Sequence, residues 1–190
     1  MPTFGSGPSF AGTRRIMVFI DGGYLRKNLI DMFKDDVLNY QFLANKLRLF
    51  TSYGNLFPEL IRAYYYDAII QEKESEKYDK QQAYLRKIRD VDYFEVRLGR
   101  LKKDGEGYFK QKGVDTLIAL DMLSKAYENH YDVAVLLAGD EDFLDVVNSV
   151  KNAGKRVFGA FFEKHISSEL KDSFDKRLHL VDNFFLNVRK

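Results

Sequence analysis

Hydrophobic residues along this chain fall into short continuous runs, separated by longer segments in which they recur with helical spacing. Residues 16–20, 132–138 and 155–162 are largely apolar, which is typical of strands buried on both faces of a sheet. Residues 60–66 (LIRAYYY) form a tyrosine-rich, strand-like run. Because such strands alternate with helical segments, the pattern predicts an α/β fold with a mainly parallel, doubly wound central sheet and helices on both of its faces.

The segments between these runs predict the helices and one hairpin. Residues 93–101 alternate as a strand does, residues 104–107 carry a strong turn signal, and residues 108–109 are expected to begin a return strand. Residues 178–181 are a candidate edge strand. The predicted helices span residues 24–33, 40–50, 71–89, 113–129 and a segment from residue 140 to residue 152.

The organisation along the chain predicts one domain behind a short leader. Residues 1–12 are rich in Gly, Ser and Pro and lack the apolar core of a signal peptide. We therefore expect a flexible leader over residues 1–14 and a single domain over residues 15–190. No apolar run reaches the roughly 18 residues of a membrane span. The expected location is the cytoplasm, without membrane contact.

The composition limits the kinds of active and metal-binding site that the chain can contain. The 190 residues are 45% hydrophobic and 31% charged, with no Cys and three His. The absence of Cys excludes disulfide scaffolds, thiolate zinc sites, iron–sulfur clusters and cysteine nucleophiles. Any metal must therefore be held mainly by oxygen. The formal net charge of +2 does not by itself indicate a nucleic-acid partner.

Several acidic residues follow the predicted buried strands. Asp21 comes directly after the first strand, Asp140 and Asp142 come after the second, and Asp115 lies in the first turn of the helix that begins near residue 113. The carboxyl ends of parallel strands share one edge of the sheet, so Asp21 and Asp140 are expected to converge if their strands are neighbours. Crowded carboxylates repel one another, and a divalent cation relieves that repulsion. Oxygen ligands alone predict Mg²⁺ or Mn²⁺.

Each of these acids has an alternative role at a helix terminus. Asp is a preferred N-cap residue, and acids in a first helical turn interact favourably with the helix dipole. Capping accounts for any one of these residues, but it does not explain several acids at one edge of the sheet. Three further acids are candidates for a supporting or a purely structural role, namely Asp67, Asp121 and Asp145.

Other catalytic arrangements lack the residues that they need. The histidines, His130, His165 and His179, make no metal-binding spacing and are expected to be surface or structural residues. A haloacid-dehalogenase-type phosphatase needs a second Asp two residues after its nucleophile, where Gly23 stands. The serines after His165 lack the glycines of a nucleophile elbow.

Residues 86–112 are basic although the whole chain is nearly neutral. Nine cationic residues stand against five acidic ones, an excess of four, with aromatic residues between them. Cations bind phosphates and aromatic rings stack on unpaired bases, which is the pattern of single-stranded nucleic-acid binding. A solvated helix followed by an exposed hairpin is the alternative. The candidate nucleic-acid-binding residues are Arg97, Arg100, Lys102, Lys103, Lys110 and Lys112.

Four short motifs occur at residues 19–25 (FIDGGYL), 62–67 (RAYYYD), 111–115 (QKGVD) and 138–143 (AGDEDF). In sequence and order they resemble the NYN domain family, in its LabA-like branch, which belongs to the PIN-like nuclease superfold. The resemblance covers nearly all of residues 15–157. It implies a three-layer α/β/α fold and metal-dependent cleavage of RNA phosphodiester bonds.

The resemblance also implies roles for particular residues. The acids of the family motifs fall on Asp21, Asp115, Asp140 and Asp142, and Asp121 matches an acid often found later in the same helix. Two positions depart from the family pattern. Tyr24 stands where many members carry Asn, and Ala138 replaces the usual Ser. Loss of the Asn is expected to affect water positioning or substrate choice.

The leading hypothesis is therefore a Mg²⁺- or Mn²⁺-dependent ribonuclease, with single-stranded RNA favoured. Asp21 and Asp140 are the expected principal ligands, with Asp115 and Asp142 completing the shell or orienting the attacking water. Lys112 is expected to grip a phosphate. A non-catalytic RNA-binding module and a small-molecule phosphoesterase remain as alternatives.

The oligomeric state is open. The aromatic pair Phe184 and Phe185 is a candidate contact of a homodimer. The alternative is that this pair packs within the chain against Phe161 and Phe162.

Overall fold

Strands and helices alternate along most of the chain, as the apolar pattern predicts. The computed structural model describes residues 12–70, 75–103, 109–186 and 188–189, and for residues 100–103 and 109–112 it describes the backbone alone. The strands are β1 (Gly12–Asp21), β2 (Leu56–Ile69), β3 (Phe94–Lys103), β4 (Phe109–Lys112), β5 (Val133–Leu137), β6 (Arg156–Phe161) and β7 (Lys176–His179). The helices are α1 (Gly22–Phe33), α2 (Tyr40–Phe50), α3 (Glu76–Arg89), α4 (Val114–Tyr127), α5 (Leu144–Asn152), α6 (Ser168–Ser173) and α7 (Asp182–Phe185), with 3₁₀ turns at Glu141–Phe143 and Glu163–His165.

The seven strands form one sheet in the order β4-β3-β2-β1-β5-β6-β7. All neighbouring pairs are parallel except β3 and β4, which are antiparallel and form the predicted hairpin. The predicted turn at residues 104–107 lies outside the described residues. From β1 the chain builds outward through β2 to β4, and then it returns to place β5 on the other side of β1. The crevice between the carboxyl ends of β1 and β5 is therefore the topological switch point, where ligands bind in such sheets.

Helices cover both faces of the sheet. Ile16, Val18 and Ile20 of β1 pack in one hydrophobic cluster with α1, α2 and α3. Met17 and Phe19 pack in a second cluster with α4, α5 and α6. Successive residues of a strand point to opposite faces, which is why β1 contributes to both clusters. The predicted fold class, a three-layer α/β/α sandwich, is confirmed.

The first strand begins earlier than the sequence predicts. β1 starts at Gly12 and pairs with β2 from that residue onward, so residues 12–14 belong to the sheet and not to a leader. Arg14 is buried and donates hydrogen bonds to the carbonyl oxygens of Thr51 and Tyr53 at 3.2 and 3.1 Å. The rest of the predicted leader, residues 1–11, lies outside the described residues.

A bulge interrupts the pairing of β1 with β2. Ile16 pairs with Leu60, but Met17 pairs with Arg62, so Ile61 is an extra residue in β2. Such an extra residue bends its strand locally and leaves the pairing regular on either side.

The C-terminal aromatic pair is not exposed. Phe185 is 1% exposed, and its ring stacks on that of Phe162 with the centroids 5.9 Å apart. Phe184 is partly buried and packs against the same cluster. The alternative, packing within the chain, is therefore confirmed for Phe185 against Phe162, whereas the homodimer stays a prediction. Across the part of the chain that the structure describes, no helix is long and apolar enough to cross a membrane.

Candidate functional site

A cavity of about 450 Å³ opens at the carboxyl ends of β1 and β5, in the crevice at the switch point. Its lining includes Asp21, at the end of β1, and Asp140, which follows β5. The structure thus brings together the two acids that were predicted to converge. The other lining residues come from α1, from the loop after β5 and from the second 3₁₀ turn, and they are Gly23, Tyr24, Lys27, Asn28, Gly139 and His165.

Asp21 is both the last residue of β1 and the N-cap of α1. Its Oδ1 atom accepts a hydrogen bond from the main-chain N–H of Tyr24 at 3.0 Å. Burial raises the pKa of Asp21 to about 6, against the opposing effect of hydrogen bonds from Tyr24 and Gly23. The negative charges of Asp115 and Asp67 also raise this pKa. Asp21 therefore both caps α1 and lines the cavity.

Three further acids come from two other segments: Asp140 and Asp142 follow β5, and Asp115 lies in α4, which follows β4. Asp140 caps the first 3₁₀ turn, because its Oδ1 atom accepts a hydrogen bond from the N–H of Asp142 at 3.1 Å. Asp115 lies in the first turn of α4 and keeps solvent contact. Protein atoms around its carboxyl raise the pKa of Asp115 by desolvation, and the charges of Asp140 and Asp142 raise it further. The charge of Asp115 therefore repels those of Asp21, Asp140 and Asp142.

This group of acids is not a closed coordination sphere. Within the described ranges, no three or more His, Asp or Glu side chains are placed to hold a metal ion. Asp21 and Asp140 line the cavity, whereas Asp115 and Asp142 do not. Asp145 is exposed in the first turn of α5 and also lies outside the lining. Mg²⁺ is typically held by one or two carboxylates together with waters and substrate phosphate, so two carboxylates in one cavity fit such an ion.

Asp67 serves the core and not the cavity. It is 1% exposed and forms a bidentate ion pair with Arg26 of α1, in which Nη2 and Oδ1 are 3.1 Å apart. The N–H of Ala68 donates to the same Oδ1 atom at 2.8 Å. Arg26 also donates to the hydroxyl of Tyr65 at 3.0 Å. Asp67 therefore ties α1 to β2, and it acts on Asp21 only through its charge.

Asp121 belongs to another separate network. Its Oδ2 atom accepts a hydrogen bond from the hydroxyl of Tyr66 at 2.8 Å, and its Oδ1 atom accepts one from Lys125 at 2.7 Å. Arg97, a candidate for nucleic-acid binding, pairs with Glu95 at 2.8 Å and lies 3.8 Å from Asp121. These contacts join α4 to β2 and β3, and they leave Asp121 outside the cavity lining.

Two glycines beside the acids allow a close approach of other chain segments. A Cβ atom on Gly139 would lie 2.0 Å from the carbonyl oxygen of His165 and 2.4 Å from the ring of Tyr24. A Cβ atom on Gly22 would lie 2.4 Å from the ring of Tyr65. Because ordinary Cβ atoms do not approach other atoms this closely, only glycine fits next to Asp21 and Asp140.

Tyr24, which stands where many relatives carry Asn, forms one wall of the cavity. Its hydroxyl accepts a hydrogen bond from the N–H of Phe162 at 3.0 Å, and the two rings pack edge to face with centroids 5.7 Å apart. Burial raises the pKa of Tyr24, so the phenol stays protonated. An Asn at this position is too short to supply this packing between α1 and the end of β6.

Three residues of the cavity were not predicted as site residues, namely Lys27, Asn28 and His165. The Nδ2 atom of Asn28 donates to the carbonyl oxygen of Tyr24 at 2.8 Å, and its Oδ1 atom contacts Nδ1 of His165. Lys27 is exposed and makes no ion pair with the described part of the chain. The sequence signal for Asn28 is its position one helical turn after Tyr24, on the same face of α1. No local pattern identifies His165, because it reaches Asn28 from 137 positions away.

The backbone of the hairpin places basic residues opposite one another. Arg100 pairs with Lys112, and Lys102 pairs with Lys110. The described backbone therefore sets four basic positions of the sequence in two cross-strand pairs. Lys103 lies further along β3, opposite Phe109.

The hairpin extends past the level at which the cavity lies. Tyr66 of β2 is level with Asp21 on one side and with Arg97 on the other. Residues 100–103 and 109–112 therefore lie further out from the same edge of the sheet. The described geometry thus places the predicted basic segment and the predicted acids at one end of the molecule.

Comparison with known proteins identifies the family of this chain. Residues 15–181 match the NYN domain. The chain belongs to the NYN domain family. Members of this family are PIN-like nucleases, which supports a nuclease role in general and agrees with the parallel sheet and its two helical layers.

Two proteins similar to this NYN domain carry no functional name. A stretch of 70 residues is 40% identical to the uncharacterized protein y4oD of Sinorhizobium fredii, and it covers 37% of this chain and 31% of that protein. The crystal structure of a protein of unknown function from Vibrio parahaemolyticus superposes with a TM-score of 0.70 at 22% identity, over 90% of this chain and 96% of that one. This second likeness shows the fold alone.

The four sequence motifs that resemble the family lie in different parts of the NYN domain. Residues 19–25 and 138–143 supply Asp21 and Asp140, the two acids of the cavity. Residues 111–115 supply Asp115, at the start of α4. Residues 62–67 supply buried tyrosines and a buried ion pair, so this motif stabilises the domain and does not enter the cavity.

Proposed function

We propose that this NYN domain is a metal-dependent ribonuclease of the LabA-like branch, with Mg²⁺ or Mn²⁺ as cofactor and single-stranded RNA as the favoured substrate. The observation that carries the proposal is that Asp21 and Asp140 line one cavity at the switch point of the sheet. The charge of Asp115 interacts with both acids of this pair, and the charge of Asp142 interacts with that of Asp115. Family membership supports the nuclease role in general.

The donor set suits a hard divalent cation. Asp21 and Asp140 would hold the ion, and Asp115 and Asp142 would complete its surroundings or orient a water molecule. Positive charge at this position offsets the mutual repulsion of the carboxylates. A bound ion would supply a more acidic water molecule and stabilise the negative charge that develops on the phosphate.

The protein's own cations would position the RNA strand. The basic residues of the hairpin lie at the same end of the sheet as the cavity, where they would bind phosphates of a strand that enters it. Lys112 is separated only by Gly113 from the helix that carries Asp115, and Lys27 lines the cavity itself. Both lysines would contact phosphates near the cleaved bond. Attack by water would form a new P–O bond and break the bond between phosphorus and O3′, leaving a 5′ phosphate and a 3′ hydroxyl.

A cleavage assay with end-labelled RNA tests this proposal. Single-stranded RNA labelled at the 5′ or the 3′ end is incubated with Mn²⁺ or Mg²⁺, with EDTA, and with the double variant Asp21→Asn/Asp140→Asn. We expect cleavage with either metal and none with EDTA or with the double variant. Asp145→Asn is the matched control, because that acid is exposed and outside the cavity lining. Cleavage that survives both EDTA and the double variant would overturn the proposal.

A non-catalytic RNA-binding module is the second candidate. It is favoured by the observation that the described residues include no group of three acids or histidines placed to hold a metal. It predicts RNA binding that weakens with salt, with no turnover in any metal. Neutralising Lys102, Lys103 and Lys110 should then weaken binding, whereas Asp21→Asn should not. The same labelled RNA, used in a binding assay, separates the two candidates.

A further inference from the structure

His165 lines both the cavity that contains Asp21 and Asp140 and a second cavity next to it. This second cavity has a volume of about 330 Å³ and shares Asn28 and His165 with the first. Met32, Phe162 and Leu180 give it an apolar lining. Its lining lacks Asp21 and Asp140 but includes the charged residues Asp31, Glu163, Lys164 and Asp182. The two cavities are therefore adjacent compartments with different linings, and His165 stands at their border.

Burial and hydrogen bonding fix the orientation of the Asn28 amide. This side chain is 2% exposed. One end lies 2.8 Å from the carbonyl oxygen of Tyr24, which can only accept a hydrogen bond. That end must therefore be the NH₂ group, and the end that faces Nδ1 of His165 must be the oxygen.

The orientation of Asn28 in turn fixes the state of the His165 ring. An amide oxygen only accepts hydrogen bonds, so Nδ1 of His165 carries the proton. In a neutral imidazole the other nitrogen, Nε2, then carries a lone pair and acts as an acceptor. Within the described part of the chain no side chain or main-chain group donates to Nε2. His165 is exposed, so this acceptor is available to a ligand.

The sugar of a ribonucleotide has the complementary group. In an internal nucleotide the sugar lies between the phosphate and the base, and its 3′ and 5′ oxygens are esterified. The 2′-hydroxyl is the remaining hydrogen-bond donor of the sugar, and DNA lacks it. With the phosphate at Asp21 and Asp140 and the base in the second cavity, the sugar lies at the border where His165 stands.

We propose that His165 accepts a hydrogen bond from the ribose 2′-hydroxyl of the nucleotide next to the cleaved phosphate, and that this contact makes the site prefer RNA over DNA. The base of the same nucleotide occupies the second cavity. Asn28 is the positioning residue, because it sets which ring nitrogen carries the proton. The inference rests on the proposed function for the place of the phosphate, but it concerns binding and can be tested without turnover.

Fluorescence anisotropy with RNA and DNA of the same sequence tests the inference. The probes are single-stranded RNA, the matching DNA, and RNA with one 2′-deoxy sugar moved along the strand. Binding is measured in Ca²⁺, a hard cation that takes oxygen ligands as Mg²⁺ does, and the RNA is checked for cleavage after each titration. One net hydrogen bond corresponds to an affinity difference of about two- to tenfold.

We expect His165→Ala to weaken RNA binding by about two- to tenfold and to leave DNA binding unchanged. Asn28→Leu should act in the same direction, because the ring loses the partner that fixes its proton. His165→Gln offers an amide oxygen and should retain part of the RNA preference. His130→Ala is the matched control, since His130 is an exposed histidine outside both cavities, and it should change neither affinity. Circular dichroism melts establish that each variant is folded.

Two results would overturn the inference: a wild-type protein that binds RNA and DNA equally, or a His165→Ala variant that keeps the RNA preference. Failure of the proposed function gives a different result. An RNA preference that depends on His165, without cleavage in any metal, would support this inference and remove the proposed enzyme activity.

Discussion

Replacing Gly139 with alanine tests whether the cavity depends on close packing of the main chain. The new methyl group would lie 2.0 Å from the carbonyl oxygen of His165 and 2.4 Å from the ring of Tyr24. Neither distance is tolerable, so the loop that carries Asp140 or the 3₁₀ turn that carries His165 must move. We expect Gly139→Ala to destabilise the domain and to displace both residues from the cavity.

The expected loss of stability in Gly139→Ala comes from the lack of space for the new methyl group. Gly139 is not among the described glycines with a positive φ, so alanine suits its backbone and by itself would stabilise the domain by about 0.4–1 kcal/mol. Overpacking costs about 1–3 kcal/mol, and we expect the upper part of that range because the nearest atom belongs to the main chain. The net loss of about 2–2.6 kcal/mol lowers the Tm of a chain of this size by roughly 4–10 °C.

Gly12→Ala is the matched control for this substitution. Gly12 also lies in a segment without positive φ, and a Cβ atom there would meet only Leu56, at an ordinary distance of 3.4 Å. Its Tm should stay the same or rise, because alanine restricts the unfolded chain. Thermal melts followed by circular dichroism give both values, and RNA cleavage is measured well below either Tm. Equal Tm values for the two variants would refute the reasoning about close approach.

Two further predictions concern ion pairs. Arg26→Ala leaves Asp67, which is 1% exposed, without its partner, and should lower the free energy of unfolding measured in urea by about 3–5 kcal/mol. The control is Lys80→Ala, which removes an exposed helical ion pair and should cost less than about 0.5 kcal/mol. Similar costs for the two variants would contradict this prediction. Burial raises the pKa of Asp132, but hydrogen bonds from Arg15 outweigh it and hold the pKa below its ordinary value. The Arg15–Asp132 pair therefore stabilises the fold above the unfolded-state pKa of Asp132, and this stabilisation is lost as the pH falls. Asp132→Asn should thus be less stable than the wild type near about pH 7 and equally stable near about pH 2. A difference in stability that persists in acid would contradict this prediction.

The buried strands could be predicted because their neighbours on both faces require continuous apolar sequence. This is why β1, β5 and β6 were located to within a few residues. The start of β2 was missed, since residues 56–59 (LFPE) include a proline and an acid and do not resemble a buried strand. The early start of β1 was missed for the same reason, because residues 12–15 (GTRR) are polar or small yet pair with β2.

The acids at the strand ends could be placed in one cavity from topology alone, but the partners of each acid could not be predicted. In the sequence, Asp21 and Asp67 each come directly after a strand-like run, and only the structure shows that β2 continues past Asp67 to Ile69. The difference is Arg26, which neutralises Asp67 from within α1. Likewise, the role of His165 depends on its contact with Asn28 across a large separation in sequence, for which no spacing rule exists.

The bulge at Ile61 sets which helical layer each later residue of β2 meets. Deleting Ile61 would leave a regular ladder with both later tyrosines in place. Because strand residues alternate between faces, regular pairing of Ile61 with Met17 would instead exchange Tyr65 and Tyr66 between the two layers. The hydroxyl of Tyr65 would leave Arg26 on α1, and that of Tyr66 would leave Asp121 on α4. A slip of one residue in this pairing would thus disconnect both α1 and α4 from β2. The bulge keeps the later residues of β2 in phase with both layers by holding Ile61 out of the pairing.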